Sequence, residues 1–175
     1  FGVRARGGRG KPVKNRLLGA ALALLLTLFP AGCSGEAQHR DAIGDILGLS
    51  LSGGSEVLYE DTHGGFHGDG YTRAIYGFEE DLAPDIAQNE GWKALPATAG
   101  LDGLLDGSVG DAFLDGDGAP FFPQIEAGYY YFRDRNSQAT DDRDESRLFT
   151  RPSQNFTLAL YDPATNRLYY MAFDT

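Results

Sequence analysis

The sequence predicts an α+β fold: a single domain with a mostly antiparallel sheet, short helices on one face and a C-terminal β-hairpin. Three observations lead to this fold class. Residues 155–162 alternate large apolar side chains with smaller or amphipathic ones, as a strand does. Residues 162–166 (DPATN) are typical of a turn. Residues 168–173 (LYYMAF) are apolar on both faces, which places the hairpin near the centre of the sheet.

The elements before this hairpin follow from local patterns. Residues 39–48 carry apolar side chains at helical spacing and end on Gly48, which predicts a short amphipathic helix. Residues 79–90 begin with three acids and stop before Gly91, which predicts a second helix. Residues 101–105 predict one or two further helical turns. Strands are predicted where β-branched and aromatic residues concentrate, at 56–60, 71–78, 92–95 and 128–133.

Three polar segments separate these elements and are predicted to be loops. Residues 61–70 contain four glycines, and 107–118 are rich in Gly and Asp. Residues 134–147 are nearly all polar, which indicates a long exposed loop or flap.

The N-terminal residues have the pattern of an export signal. Residues 1–16 contain six basic side chains and no acid, and residues 17–29 are an apolar run. As a helix this run spans about 20 Å, whereas the core of a bilayer is roughly 30 Å thick. The pattern therefore predicts a signal peptide over residues 1–32. A transmembrane helix is the alternative.

The chain's one cysteine follows this apolar run, in the order Pro30-Ala31-Gly32-Cys33. This stretch resembles the lipobox of bacterial lipoproteins, with Pro30 at the position where that family usually carries Leu. The resemblance implies cleavage before Cys33 and attachment of a diacylglycerol group to its thiol, with acyl chains such as palmitate. Two acyl chains hold a protein firmly at a membrane. A buried structural thiol is the alternative for Cys33.

The expected organisation is a signal peptide (1–32), a lipid-anchored tether (33–38) and an acidic α+β domain (39–175). The expected location is the extracytoplasmic face of the cell membrane. The chain from Cys33 onward resembles small bacterial lipoproteins of unassigned function, although no family motif extends beyond the leader.

The chain from Cys33 onward is strongly acidic. It contains all 25 acids but only nine of the 15 basic residues, so its net charge is −16. Phosphate backbones repel a domain of this charge, which argues against a nucleic-acid partner. A protein, a peptide or a component of the cell wall remains compatible with it.

The loop at residues 61–70 is the strongest candidate for chemistry. Asp61, His63, His67 and Asp69 lie within nine residues, and imidazole and carboxylate groups are ligands for zinc and similar divalent metals. The alternative is a glycine-rich connection whose side chains bind nearby backbone. A cofactor other than such a metal is not expected.

Two other patterns are weaker. His63-Gly64-Gly65 is similar to the oxyanion-hole stretch of lipase-like hydrolases, but Ser108 lacks the strand and helix of a nucleophile elbow. Asp111, Asp115 and Asp117 are spaced like calcium ligands, but the residues after them do not fit an EF-hand, and a solvated acidic turn is expected.

These observations favour a lipid-anchored extracytoplasmic binding module over an enzyme. The alternatives are a metal-assisted hydrolase or a metal-binding lipoprotein that uses the 61–70 loop.

Replacing Cys33 with Ala tests the anchor. We expect the full chain to move from the membrane fraction to the soluble extracytoplasmic fraction, because the thiol that carries the lipid is gone. Fractionation with immunoblotting measures this. A variant that stays membrane-bound to the same extent as the wild type would contradict the prediction.

Overall fold

The structure is a computed structural model that describes residues 1–2, 33–64 and 68–175. The predicted signal peptide, apart from its first two residues, lies outside these described ranges. The chain divides into two compact units, Phe1–Ser34 and Gly35–Thr175, and the second contains the whole sheet.

The described residues form the following elements in chain order, together with two 3-10 turns at Asp111–Phe113 and Leu148–Thr150: α1 (Cys33–Leu47), β1 (Ser55–Asp61), β2 (Gly70–Gly77), α2 (Ala83–Ile86), β3 (Trp92–Ala94), α3 (Asp102–Leu105), β4 (Tyr129–Asp134), β5 (Asn155–Asp162) and β6 (Arg167–Asp174).

These strands form one antiparallel sheet in the order β1-β2-β6-β5-β4-β3. The hairpin β5–β6 lies at its centre, because β6 also pairs with β2 and β5 also pairs with β4. The α+β fold class and the C-terminal hairpin predicted from the sequence are therefore confirmed.

The two faces of the sheet have separate cores. On the first, called the α1 face below, Tyr161 and Tyr170 of the hairpin pack in one cluster with Ile43 of α1 and Ile86 of α2. Helices α1 and α2 therefore cover this face, whereas α3, predicted to lie on the same face, packs on the opposite one.

The opposite face is covered mainly by irregular structure. Leu158 and Met171 of the hairpin pack in one cluster with Leu104 of α3 and with aromatic residues of the segment 95–128. This face is called the loop face below. Helix α3 is a single turn within that segment.

Helix α1 is longer than predicted. It begins at Cys33, so residues 33–38, predicted to be a tether, form its first turns. A contact with the sheet supports these turns, because the Glu36 carboxylate accepts a hydrogen bond from the backbone N–H of Glu56 (3.2 Å). At the other end, Gly48 adopts the left-handed conformation of the predicted C-cap (φ +65°).

Helix α2 is shorter than predicted and covers one turn of the expected 79–90 helix. The Tyr161 hydroxyl donates to Asp81 (2.8 Å), whose carboxylate also accepts the first N–H of α2 (2.9 Å). The Asn89 amide donates to the carbonyl oxygen just after α1 (2.9 Å). These side-chain contacts compete with continued helical hydrogen bonding at both ends.

Arg73 of β2 attaches the segment 95–128 to the loop face. Its guanidinium is buried, pairs with Glu60 and donates to the carbonyl oxygen of Leu114. It also lies 5.2 Å from the centre of the Phe121 ring. The Arg73 side chain thus connects the hairpin β1–β2, the segment 95–128 and the core of the loop face.

The loop 134–147 begins with a buried ion pair. Asp134 (3% exposed) forms a hydrogen-bonded pair with Arg151 (9% exposed). Most of the loop beyond Asp134 is exposed, as predicted.

We expect Asp134→Ala to lower the free energy of unfolding by about 3–5 kcal/mol, because it leaves Arg151 buried without a counter-charge. Asp142→Ala is the matched control: it removes the exposed pair with Arg133 (3.0 Å) in the same loop. Its expected cost is about 1 kcal/mol or less. Urea denaturation measures both values, and equal losses would contradict the prediction.

Candidate functional site

Helix α1 is fixed on the sheet through its last carbonyl groups. The Trp92 indole N–H donates to the carbonyl oxygen of Leu47 (3.2 Å), and the Tyr131 hydroxyl donates to that of Ile46 (3.1 Å). These carbonyls have no partner within the helix, so side chains from β3 and β4 satisfy them. The position of α1 across the sheet is thereby set.

Beside α1, the sheet and the helix enclose a groove of about 320 Å³, called the α1 groove below. Strands β1, β2 and β6 contribute Tyr59, Thr72 and Tyr170 to it. The helix contributes Gln38, His39, Ala42, Ile43 and Ile46. The groove thus combines apolar, aromatic and neutral polar side chains.

A larger depression of about 440 Å³ lies by the end of α1, between the helix and the turn at 48–52. Its described lining residues include two acids, serines, leucines and glycines, but neither an aromatic ring nor an imidazole. A further depression of about 400 Å³ is lined by Phe78 and two acids, and its described lining also has no imidazole. We regard the α1 groove as the candidate site because it combines two tyrosines with an imidazole.

The rings of His39 and Tyr59, which both line the α1 groove, form a stacked pair. Their centres are 3.8 Å apart and their planes differ by 9°. The Nδ1 atom of His39 is buried and lies 3.9 Å from Glu56 Oε2, without a hydrogen-bond partner among the described residues. This nitrogen is therefore a buried polar atom whose nearest charged neighbour is the Glu56 carboxylate.

Hydroxyl groups contribute further polar atoms near the sheet. Tyr170 is almost fully buried, and burial raises its pKa to about 12. The hydroxyl of Thr157 lies close to it, but their geometry is not that of a hydrogen bond, and Thr157 Oγ1 has no partner among the described residues. Tyr170 is a neutral hydroxyl at physiological pH.

A row of acidic and basic side chains adjoins the groove at Thr72, whose hydroxyl lies 3.4 Å from His63 Nδ1. The same His63 nitrogen is 2.7 Å from Asp61 Oδ1, and His63 Nε2 is 3.2 Å from Asp174 Oδ2. Arg135 donates to that Asp174 oxygen (2.9 Å). Asp61, His63, Asp174 and Arg135 are called the His63 cluster below.

Hydrogen bonding in this cluster lowers the pKa of the Asp61 carboxyl. The backbone N–H of His63 is the main cause, and the His63 ring adds to it. The imidazole donates to both carboxylates only when it is protonated, because a neutral ring has one N–H. Carboxylates of the protein thus lie against both nitrogens of His63, at 2.7 and 3.2 Å.

The structure brings together only part of the predicted metal site. Asp61 and His63 are in contact, Asp69 is exposed, and His67 lies outside the described residues. Among the described residues, no group of three or more His, Cys, Asp or Glu side chains has the arrangement of a metal site. The metal site therefore stays a prediction. Cys33 is the first residue of α1, and its lipidation likewise stays a prediction.

The two weaker patterns occupy turns. The Asp106 carboxylate accepts the N–H of Ser108 (2.9 Å) in an exposed turn after α3. The Asp115 carboxylate accepts the N–H groups of Asp117 and Ala119 (2.9 Å each), which closes the expected acidic turn.

Sequence reasoning missed Asp174, Tyr59 and Tyr170. Asp174 reaches His63 because β6 pairs with β2, which brings Asp174 opposite Gly70. This pairing joins strands about a hundred residues apart, and no local pattern predicts it. The available signal was alternation along β6, which places Tyr170 and Asp174 on one face.

Comparisons with family models, with curated proteins and with solved structures give no match. Within the described part of the chain, each helix is too short or too polar to cross a bilayer. The site must therefore be interpreted from its own geometry.

We expect Asp61→Asn to destabilise the protein near neutral pH and to have a smaller effect at an acidic pH below the ordinary pKa of aspartate, about 3.9. Because hydrogen bonds lower the pKa of Asp61 in the folded state, its carboxylate stabilises the fold fully at a pH above the pKa of aspartate in the unfolded chain. This stabilisation is lost as the pH falls through the lower pKa of the folded state. Urea denaturation with EDTA at both pH values measures this. Asp69→Asn is the control in the same loop, and a pH-independent effect of Asp61→Asn would contradict the prediction.

Proposed function

We propose that this protein is a lipid-anchored extracytoplasmic binding module whose ligand occupies the α1 groove. The supporting observation is the groove itself, where two tyrosines, the His39 ring, Thr72 and Gln38 line one concave region together with aliphatic side chains of α1. Concave sites with an apolar lining and a few polar groups are typical of ligand binding.

The anchor and location are part of this proposal and rest on the leader. The basic region, the apolar run and the small residues before Cys33 occur in the order that bacterial lipoproteins use. In this proposal the lipid on Cys33 holds the domain at the membrane. A protein, a peptide and a cell-wall component are the ligand classes that the net charge of −16 allows.

The His63 cluster supports binding more than catalysis. A general base needs a free ring nitrogen within reach of a substrate proton. Both ring nitrogens of His63 face carboxylates instead, at 2.7 and 3.2 Å. The metal-dependent alternative likewise requires His63 to exchange a carboxylate for a metal ion.

Lys93 provides a test of the location. It is exposed on β3 and is the only lysine after Cys33 in the sequence. We expect a membrane-impermeant amine reagent to label Lys93 of the full chain in intact spheroplasts, with the label located by mass spectrometry. Lys93→Arg is the control and should lose that label. Labelling of Lys93 only after lysis would place the domain inside the cell and would contradict the proposal.

A further inference from the structure

We infer that the α1 groove binds a neutral carbohydrate of one or two sugar units. This inference rests on the proposed binding function and names the chemistry of the ligand. It follows from the charge, the hydrogen-bonding capacity and the size of the groove.

The first step concerns charge. The described lining of the groove contains no Asp, Glu, Lys or Arg side chain, although the chain from Cys33 onward carries 25 acids. The charged groups next to it are Glu56, whose carboxylate lies 3.9 Å from His39 Nδ1 and accepts a hydrogen bond from the Tyr76 hydroxyl (3.4 Å), and the His63 cluster, where Arg135 and His63 contact carboxylates. A charged ligand would lose its hydration here without meeting a free counter-charge, which is unfavourable. The groove therefore favours a neutral ligand.

The second step concerns hydrogen bonding. Tyr59, Tyr170 and Thr72 carry hydroxyl groups, and Gln38 carries an amide. Each of these groups can both donate and accept. Burial raises the pKa of both tyrosines, so their hydroxyls remain neutral donors. A ligand with several hydroxyl groups, each also a donor and an acceptor, matches this set.

The third step concerns the apolar part of the groove. Ala42, Ile43 and Ile46 line its helical side, and Ile46 is 41% exposed. The Tyr59 ring is held in one orientation by its stack on His39. A sugar ring presents C–H groups on its faces and hydroxyls around its edge, so it can contact apolar and polar groups together. The ability to contact apolar and polar groups at once distinguishes a sugar from a purely polar solute.

The size of the groove limits the ligand. About 320 Å³ lies at the lower end of the range of roughly 300–1,000 Å³ for small-molecule sites. One or two sugar units fit this volume better than a longer chain does.

The test uses the full chain purified from host membranes in a detergent without a sugar headgroup. The probes are glucose, galactose, N-acetylglucosamine and its β-1,4 disaccharide, together with tetralysine and tetraglutamate peptides. Calorimetric titration measures Kd, and thermal melts monitor the fold of each variant. We expect at least one neutral sugar to bind, and neither charged peptide.

Four variants locate the binding. Tyr170→Phe and Tyr59→Phe each remove one hydroxyl and should weaken binding roughly fivefold to tenfold. Tyr169→Phe is the matched control, because Tyr169 neighbours Tyr170 on β6 but packs on the loop face. Ala42→Trp fills the groove from an exposed helix position and should abolish binding.

The outcomes separate this inference from the proposed function. If a charged peptide binds, no sugar binds, and Ala42→Trp blocks the peptide, the carbohydrate inference is wrong and the binding function stands. If no probe binds, or if sugar binding is insensitive to Ala42→Trp and to both Tyr→Phe changes, the groove is not the ligand site and both are wrong.

Discussion

Burial of the β5–β6 hairpin on both faces is the constraint on which the rest of this structure depends. Its alternate residues enter two different cores, with Tyr161 and Tyr170 on one side and Leu158 and Met171 on the other. Only a central place in the sheet, with a layer on each face, removes all of these side chains from water. The chain therefore supplies α1 and α2 as one layer and the segment 95–128 as the other.

Polar ends of otherwise apolar or long side chains attach these layers to the sheet. Trp92 and Tyr131 place their rings in the core and donate to the last carbonyls of α1. Tyr161 also lies in the core and donates to the Asp81 carboxylate in the turn before α2. The buried Arg73 donates to the carbonyl oxygen of Leu114 in the segment 95–128. Such residues contribute apolar area and one directed hydrogen bond at once. The position of each layer is thus determined by a few contacts from the strands.

The α1 groove follows from this arrangement. Helix α1 satisfies its carbonyls over β3 and β4, and the groove beside it is lined on the sheet by β1, β2 and β6. The domain is strongly acidic, yet the charges next to the groove compensate one another along the His63 cluster. The groove consequently differs in character from the rest of the acidic surface. Hydroxyls, an amide and rings, rather than a charge, would select its ligand.

Local sequence patterns determined the hairpin, the Gly48 cap and the polar loops. Alternation, helical spacing and turn residues act over a few positions, so the sequence alone reveals them. Tertiary contacts alone decided that α1 starts at Cys33, that α2 is one turn and that Asp174 joins His63. Each of these depends on hydrogen bonds between residues far apart in the chain. The strand order that brings such residues together is set by packing of the whole sheet, which no short segment encodes.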